Sequence, residues 1–332
     1  MKMKFKSTVR GTYLTKKRYA LLSVFGVVPV AGSSAASGQT FMTLDYPGAT
    51  DTNALGVSGA TVVGSYDDGT ATQHGFIYDG SSFTTLDVPG ATDTYVDGVS
   101  GGTVVGYYKD STGADNGFIY NGSSFMTLDV GAADTYIDGI SGGTIFGAYR
   151  NSPVTGYDGF IYNGSPASTL DVPGSVVSTF VKGISGGTVV GYYVDNNLDD
   201  YGFIYNGSAF TTVGNSETET SINGISGDTV VGTEFDGDFH LEGLIYNGSA
   251  FTTLDFPGAT NTGINGISGD TLVGTYMDEA GNNHSFIAQV PEPAGVMLLG
   301  IAGFGLLTRR QRTSKRIEYG GYRLNEECVG DK

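Results

Sequence analysis

Cysteine is almost absent from this chain of 332 residues, since Cys328 is the only one. A lone cysteine allows no intramolecular disulfide and no thiolate metal site. The sequence therefore excludes a disulfide-stapled scaffold, although it leaves export from the cell open.

Basic residues are scarce in the middle of the chain. Residues 39–291 contain three of them, Lys109, Arg150 and Lys182, against 29 acidic residues, so this region has a net charge near −26 while the whole chain has −17. Such a surface repels nucleic acid and anionic lipid. The composition therefore predicts no nucleic-acid partner, and it leaves cations and neutral sugars as possible ligands.

The N-terminal apolar run is too short to span a membrane. Residues 1–36 carry seven Lys or Arg and no acid, and the apolar run 20–31 has 12 residues, interrupted by Pro29. A spanning helix needs about 20. Basic residues, a short apolar run and the small residues Ser34 and Ala36 are typical of a secretory signal peptide. Residues 1–36 are therefore predicted to be a cleaved export signal.

Glycine is abundant, at 54 of 332 residues, but it lacks the every-third-residue spacing of collagen. It lies instead in the turns of a repeated unit, of which 83–124 is one copy. Anchored on the segment Gly-Phe-Ile-Tyr, the copies are 41 to 43 residues apart and the sixth is cut short. The six anchor positions are Gly75, Gly117, Gly159, Gly202, Gly243 and Ser285. The spacing predicts one repeat domain over 39–291.

Each unit is predicted to contain four short strands, which in this copy are 95–100, 103–109, 117–120 and 123–130. Asn-Gly separates the last two strands of four units and predicts a type I′ hairpin, because both residues accept positive φ. These asparagines are Asn121, Asn163, Asn206 and Asn247. The unit is therefore expected to form a four-stranded antiparallel meander.

A sandwich, a solenoid and a propeller all remain compatible with such a meander, but two features favour the propeller. About 42 residues per four-stranded unit lies in its range, and the apolar runs lack the alternation of a half-exposed sheet. In addition, the last unit ends at 286–290 without a fourth strand, while the first is preceded by an unpaired strand at 41–46. We therefore predict an all-β, six-bladed β-propeller closed by the N-terminal strand.

The C-terminal region contains the apolar run 294–307 followed by three arginines. At about 1.5 Å per residue this run makes a thin transmembrane helix, whose arginines stay cytoplasmic. Residues 292–312 with Pro291 resemble the PEP-CTERM sorting signal of exported Gram-negative proteins. The matching residues are Pro291, Glu292, Pro293, the helix, Arg309 and Arg310.

The PEP-CTERM resemblance implies processing by an exosortase-type enzyme. It also implies membrane attachment through the helix in transit, and then delivery to the cell surface or exopolysaccharide matrix. The polar tail 313–332 departs from the family pattern, in which the chain ends soon after the arginines.

The repeats also resemble the extracellular HAF repeat family, which brings no known reaction with it. His74-Gly75-Phe76 and His284-Ser285-Phe286 match the first part of the family pattern, and 224–232 approximates its last part.

Repeated polar residues are predicted to have structural roles. His74, His240 and His284 precede or begin the same strand and have no nucleophile motif beside them. An aspartate recurs at the end of the fourth strand and is expected to bond backbone there. Its copies are Asp45, Asp87, Asp129, Asp171 and Asp255. No catalytic residue and no cofactor are predicted.

The acidic loops between the second and third strands supply oxygen ligands, most densely at 195–200, but none has the ligand order of an EF-hand. No metal site is predicted there.

The sequence favours an exported, non-enzymatic protein with a structural or a carbohydrate- or protein-binding role. One alternative is a propeller hydrolase or lyase that uses loop carboxylates. It requires an axial pocket with two close acidic groups of perturbed pKa. The other alternative is a Ca²⁺-stabilised adhesin.

Overall fold

The computed structural model describes residues 40–152, 155–164, 166–174, 176–214, 218–236 and 240–290. The predicted signal peptide (1–36), sorting signal (292–312) and tail (313–332) lie outside these ranges. Within them, no helix is long and apolar enough to cross a membrane.

The described residues form 24 strands in six antiparallel sheets of four strands, which we call blades 1 to 6. Blade 1 contains β2 (Asp51–Ser58), β3 (Thr61–Asp67), β4 (Gln73–Tyr78) and β5 (Phe83–Thr85). Blade 2 contains β6 (Asp93–Ser100), β7 (Thr103–Lys109), β8 (Asp115–Tyr120) and β9 (Phe125–Leu128). Blade 3 contains β10 (Asp134–Ser141), β11 (Thr144–Arg150), β12 (Asp158–Tyr162) and β13 (Ser168–Thr169).

The remaining blades follow the same order. Blade 4 contains β14 (Val176–Ser185), β15 (Thr188–Asp195), β16 (Asp200–Tyr205) and β17 (Phe210–Val213). Blade 5 contains β18 (Thr220–Ser226), β19 (Thr229–Phe235), β20 (Leu241–Tyr246) and β21 (Phe251–Leu254). Blade 6 contains β22 (Asn261–Ser268), β23 (Thr271–Met277), β24 (Asn283–Gln289) and β1 (Phe41–Thr43).

The blades form a closed ring. The first strand of each blade contacts the first strand of the next, and β22 contacts β2. These six inner strands surround the axis. Strand β1 completes blade 6 by pairing antiparallel with β24, with Phe41 opposite Ala288 and Thr43 opposite Phe286. The predicted six-bladed propeller and its closure by the N-terminal strand are therefore confirmed.

The hydrophobic core lies between neighbouring blades, which explains the continuous apolar runs of the middle strands. In β3, for example, both Val62 and Val63 are fully buried although they point to opposite faces of the sheet. One large side chain from the third strand of every blade is also fully buried. These are Phe76, Phe118, Phe160, Phe203, Leu244 and Phe286.

The Asn-Gly turns differ from the predicted type I′. Gly122 has a φ of 91°, but Asn121 is not among the non-glycine residues with positive φ. A type I′ turn needs positive φ at both central residues, so that prediction was wrong. Instead, the Asn121 side-chain oxygen accepts hydrogen bonds from the backbone N–H groups of Ser123 and Ser124 (3.0 and 2.9 Å). Asparagine therefore suits this position because its side-chain oxygen accepts hydrogen bonds from the backbone of the turn.

The seam between β1 and β24 has its own hydrogen bonds. Ser285 stands where the other five blades have glycine, and its hydroxyl donates to the Thr52 carbonyl oxygen and accepts from the Ala54 N–H (both 2.7 Å). The side chain of Asp45, just after β1, accepts from the Ser285 N–H and lies 2.8 Å from His284 Nδ1. A departure from the repeat therefore ties blade 6 to the inner strand of blade 1.

Blade 5 departs from the repeat at Glu234. Five blades place a tyrosine here, and its hydroxyl hydrogen-bonds a threonine of the outer strand, as Tyr66 does with Thr85 (3.0 Å). Glu234 is buried, directly opposite Glu242. Burial and the Glu242 charge raise the pKa of Glu234 to about 7. Because the pKa of Glu234 is raised in the folded state, the protonated side chain favours folding. This stabilisation is present below the ordinary pKa of glutamate and is lost as pH rises through about 7.

Replacing Glu234 by tyrosine is expected to raise the free energy of unfolding by about 1–3 kcal/mol at pH 8, since each pKa unit is worth about 1.4 kcal/mol. Thr253 occupies the threonine position of the repeat, so the new hydroxyl has a partner. Urea unfolding at pH 5 and pH 8 measures the effect, which should be much smaller at pH 5. An equal gain at both pH values would contradict the electrostatic cause.

The seam can be tested against a matched site inside the ring. Asp45–His284 and Asp87–His74 have the same 2.8 Å geometry, but Asp45 joins β1 to β24, whereas Asp87 lies within one continuous blade-forming segment. Asp45→Asn is expected to increase amide exchange across β1 and β24 more than Asp87→Asn does across β4 and β5. Its hydrogen bonds alone predict a cost of about 1 kcal/mol.

The stabilisation of the β1–β24 pair by Asp45 should also depend on pH. The hydrogen bond to Asp45 raises the pKa of His284, so the stabilisation is present below the ordinary histidine value and lost above the raised one. Hydrogen exchange at pH 6 and pH 9 checks this. Equal local protection in the Asp45→Asn and Asp87→Asn proteins would show that the seam is no weaker than a continuous blade.

Candidate functional site at the propeller axis

Six glycines allow the inner strands to approach one another at the axis. They are Gly56, Gly98, Gly139, Gly183, Gly224 and Gly266. A Cβ atom on Gly98 would lie 2.8 Å from the Gly139 Cα, and one on Gly56 would lie 2.7 Å from the Asp97 carbonyl oxygen. A larger residue at Gly56 or Gly98 would therefore push neighbouring blades apart, so glycine at these positions lets the inner strands lie close together.

The residue before each of these glycines is the extra residue of a β-bulge. In every inner strand the pairing register skips it, as between Val96 and Gly98. Bulges direct an unpaired side chain out of the ladder. We call the resulting six residues the waist: Leu55, Asp97, Asp138, Lys182, Asn223 and Asn265.

The waist residues line two cavities on the axis. A cavity of about 170 Å³ is lined by the six waist residues alone. A cavity of about 230 Å³ continues to the hairpin end of the inner strands, where one serine from each blade lines it. These serines are Ser58, Ser100, Ser141, Ser185, Ser226 and Ser268. The axis is therefore a polar pocket with a ring of hydroxyl groups toward one end.

The waist contains two acids and one base. Lys182 Nζ lies 2.7 Å from Asp138 Oδ1, which forms an ion pair between blades 3 and 4. The Oδ2 atoms of Asp97 and Asp138 are buried and have no hydrogen-bond partner among the described residues. Asp97 thus has no basic partner at hydrogen-bonding distance, whereas Asp138 has one.

The surroundings shift the titration of all three groups. Burial, together with the Asp138 charge, raises the pKa of Asp97 to about 8. Burial also raises the pKa of Asp138, although Lys182 opposes the shift. Burial lowers the pKa of Lys182, but Asp138 and neighbouring groups outweigh it and leave that pKa above its usual value. The waist therefore holds an acid that resists ionisation beside the Asp138–Lys182 ion pair.

The two waist asparagines bond the next blade. Asn223 Nδ2 donates to the Ile264 carbonyl oxygen, and Asn265 Nδ2 donates to the Ala54 carbonyl oxygen (both 2.9 Å). An aspartate has no N–H with which to make such a bond. Asn223 and Asn265 therefore stabilise the contact between neighbouring blades. The ionised side chains of Asp97 and Asp138 cannot make the same hydrogen bond.

Aromatic rings form a continuous half-ring on blades 2 to 4. It lies near the ends of the inner strands that are opposite their hairpin turns. Successive centroids are 4.6, 4.8, 5.5, 5.2 and 4.7 Å apart. All six rings are partly exposed. The half-ring comprises Tyr95, Tyr107, Tyr136, Tyr157, Phe180 and Tyr192. Lys182 Nζ lies 5.9 Å from the Phe180 ring centre, so the half-ring borders the waist.

The other half of the propeller has small residues at the same places. The register pairs Tyr95 with Tyr107 in blade 2 and Phe180 with Tyr192 in blade 4. The equivalent pairs in blades 1, 5 and 6 are Asn53 with Ser65, Ser221 with Thr233, and Gly263 with Thr275. An aromatic wall thus stands on one side of the axis and small residues on the other.

All three basic residues of the propeller border this half-ring. Lys109 Nζ lies 2.9 Å from Asp115 Oδ1, and the Tyr136 hydroxyl donates to Asp115 Oδ2 (2.6 Å). Arg150 Nε lies 2.6 Å from Asp134 Oδ2, and its guanidinium lies 5.1 Å from the Tyr157 ring centre. The basic charge of an otherwise acidic ring is thus concentrated on blades 2 to 4.

The polar residues singled out from the sequence lie elsewhere, at the loop end of the blades. His74 Nδ1 is 2.8 Å from Asp87 Oδ2, and the pKa of His74 is raised by its aspartate neighbours against the effect of burial. The recurrent aspartates accept backbone hydrogen bonds, for example Asp171 from the Gly159 N–H (3.1 Å). The predicted backbone role is therefore confirmed for Asp45, Asp87, Asp129 and Asp171.

The acidic loop at 195–200 uses its first carboxylate internally. Asp195 Oδ1 accepts from the backbone N–H groups of Asn197 and Asp199. Among the described residues, no group of three or more His, Cys, Asp or Glu side chains has the geometry to hold a metal ion.

The waist was missed from the sequence because the repeats were compared for what they share. The residue before the Gly-Val-Ser or Gly-Ile-Ser segment changes from Leu to Asp, Asp, Lys, Asn and Asn along the six units. A column-by-column comparison shows this variability beside an invariant glycine. Departures from the repeat, and not its recurring residues, therefore mark this pocket.

The C-terminal segment contains a protein-sorting motif. Residues 289–312 match the PEP-CTERM protein-sorting motif. The chain carries an exosortase sorting signal. This motif marks an exported protein that is sorted to the membrane and the cell surface. The match covers the residues Pro291, Glu292, Pro293, Arg309 and Arg310 predicted from the sequence. No curated protein matches the chain.

Several solved propellers are similar in fold. The β-propeller domain of the trilobed protease from Pyrococcus furiosus is 7% identical, with 77% of this chain and 99% of that chain covered and a TM-score of 0.49. A six-bladed lectin from Aleuria aurantia with a fucose recognition mode is 12% identical, with 76% and 100% covered and a TM-score of 0.47.

An acylaminoacyl peptidase from Pyrococcus horikoshii is 9% identical, with 74% and 53% covered and a TM-score of 0.44. At such identities these likenesses carry no conclusion about function, and the propeller assignment rests on the strand pairing.

The pH response of Asp97 can be measured directly. Because its pKa is raised, the folded state is favoured below the ordinary value and loses that stabilisation as pH rises through about 8. Asp97→Asn should therefore be more stable than the natural protein at pH 9 and differ less at pH 5. Thermal melts at both pH values check this, with exposed Asp68→Asn as the charge-matched control. An identical pH profile for Asp97→Asn and the natural protein would contradict it.

Proposed function

We propose that this protein is an exported glycan-binding propeller of the cell surface or exopolysaccharide matrix, without catalytic activity. The aromatic half-ring is the observation that carries the proposal. Flat aromatic faces stack on the apolar C–H faces of sugar rings, and tyrosine adds a polar edge for hydroxyl groups. Six adjoining rings on one side of an axis form a larger platform than a single sugar needs.

The charges around the half-ring fit a polysaccharide that is neutral or weakly anionic. The ring as a whole is strongly acidic and repels polyanions. Lys109, Arg150 and Lys182 lessen that repulsion on blades 2 to 4 alone. Their ion-paired carboxylates also fix donors and acceptors at the border of the platform, where sugar hydroxyls need hydrogen bonds.

The positions and ion pairing of the axial carboxylates favour binding without catalysis. The axial pocket holds two acids of raised pKa, Asp97 and Asp138, which is the feature that the hydrolase or lyase alternative requires, but both come from inner strands and not from loops. Asp138 is held by Lys182, and the cavity of about 170 Å³ at the waist is smaller than the roughly 300–1,000 Å³ typical of ligand clefts. An ion-paired carboxylate in a pocket of this size favours binding over cleavage of a linkage inside a polymer chain.

Replacing half-ring residues by their counterparts from other blades tests the proposal. Tyr107→Ser copies blade 1, and Tyr192→Thr copies blade 5, so each introduces a residue that the fold already accepts there. Each is expected to weaken glycan binding about tenfold, which corresponds to about 1.4 kcal/mol. Ser65→Ala and Thr233→Ala, at the same strand position on the other side, should bind as the natural protein does.

The measurement is binding of the purified full chain to a glycan array and to exopolysaccharide from the cells that produce it, followed by titration of the best ligand. Blank results for the natural protein on both would end the carbohydrate proposal. Equal binding by the Tyr107→Ser and natural proteins would move the site away from the half-ring.

A further inference from the structure

The waist has one acid without a basic partner, and the ring does not need it. Of its two acids, Asp138 is paired with Lys182, while the Asp97 Oδ2 atom is buried with no partner. A buried polar atom without a partner costs free energy, and a buried carboxylate costs more. Asparagine, as at the same position in blades 5 and 6, would instead bond the neighbouring blade. Asp97 is therefore better suited to a ligand than to the fold.

An ionised Asp97 needs a donor as its partner, and an organic cation fits better than a metal ion. Ca²⁺ takes six to eight oxygen ligands. The waist has two carboxylates, and Lys182 places a positive charge among them. An ammonium group instead brings three N–H donors, and two unpartnered carboxylate oxygens, those of Asp97 and Asp138, are available to accept them.

The shape of the pocket limits what carries that ammonium group. The cavity between the waist and the serines has a volume of about 230 Å³, which is below the range of clefts for drug-sized ligands. Six serine hydroxyls, each able to donate and accept, surround its other end. A compact group with one amine and several hydroxyls matches both features.

We propose that the axial pocket binds a single amino sugar unit with a free amino group, with Asp97 as the counter-ion of the ammonium. The inference rests on the proposed glycan-binding function and names the class of sugar. The serine end of the pocket receives the sugar hydroxyls, and the waist receives the amine. An acylated amine has no charge, so an N-acetyl sugar lacks the group that Asp97 selects.

The proton balance of the complex gives it a recognisable pH dependence. The ion pair contains one proton, which comes either from the ammonium or from Asp97, whose pKa is raised to about 8. At low pH one proton must leave for the pair to form, and at high pH one must be taken up. The affinity is therefore expected to follow a bell-shaped curve, whereas a neutral sugar held by hydroxyl contacts should show no such curve.

Calorimetric titration of the purified full chain with glucosamine, N-acetylglucosamine and glucose tests this, because the three differ only in the amino position. Glucosamine is expected to bind at least tenfold more tightly than the other two. Asp97→Asn should reduce its affinity to that of N-acetylglucosamine and abolish the bell-shaped curve. Asp129→Asn, with the same change of charge on the loop side, should retain both.

Each other outcome has a definite meaning. Equal affinity for glucosamine and N-acetylglucosamine, or unchanged glucosamine binding by Asp97→Asn, would overturn the proposal. So would binding of Ca²⁺ that is lost in Asp97→Asn while glucosamine does not bind. A thermal melt of Asp97→Asn checks folding, which the asparagines of blades 5 and 6 lead us to expect is intact.

The test of the axial pocket can be distinguished from the test of the half-ring. Glucosamine binding that survives Tyr107→Ser while array binding is lost supports both sites. Array binding that survives Asp97→Asn without glucosamine binding by the natural protein removes only the axial inference.

Discussion

The structure depends on the close approach of six inner strands at the propeller axis. That approach is possible only where the strands carry no side chain, since a Cβ on Gly98 would lie 2.8 Å from the Gly139 Cα. The same glycines follow the bulged residues, so the contact that closes the ring also fixes where the waist side chains lie. Packing and the candidate site therefore have one physical origin.

A ring of sheets also needs its two chain ends to meet. Each blade from 1 to 5 is formed by consecutive strands, and blade 6 alone combines strands from both ends of the propeller. An unpaired edge would invite association with other chains. Strand β1 pairs with the exposed edge of β24 and gives blade 6 the same outer strand as the other blades. Ser285 strengthens the junction by replacing the glycine of the other blades with a hydroxyl that bonds the inner strand of blade 1.

Much of the fold could be predicted because it repeats. Six copies of a four-strand pattern with complementary ends specify both the blades and their closure, and 103–109 agrees with β7 at both ends. The turn type could not be predicted, because Asn-Gly accepts two solutions. Positive φ at both residues gives one, and a side-chain acceptor at asparagine gives the other. The structure adopts the second, which Asp79 of blade 1 satisfies equally well.

The candidate site was harder to predict for the opposite reason. Its residues do not repeat, and Asp97, Asp138 and Lys182 lie about 40 residues apart, so nothing local links them. Symmetry brings them together, because equivalent positions on inner strands meet at the axis whatever their sequence separation. The recurrent histidines and aspartates attracted attention by recurring, and recurrence in a propeller indicates a task that every blade shares.

The departures from symmetry are themselves unevenly distributed, and this links the two proposed sites. Blades 2 to 4 hold the aromatic half-ring, the three bases of the propeller and both waist acids, whereas blades 1, 5 and 6 hold small residues and the asparagines that bond neighbouring blades. A closed ring needs all six blades for its geometry but only some for recognition. One side can therefore remain close to the structural pattern while the other carries costly groups such as Asp97, and the glycine-lined axis holds those groups at fixed positions.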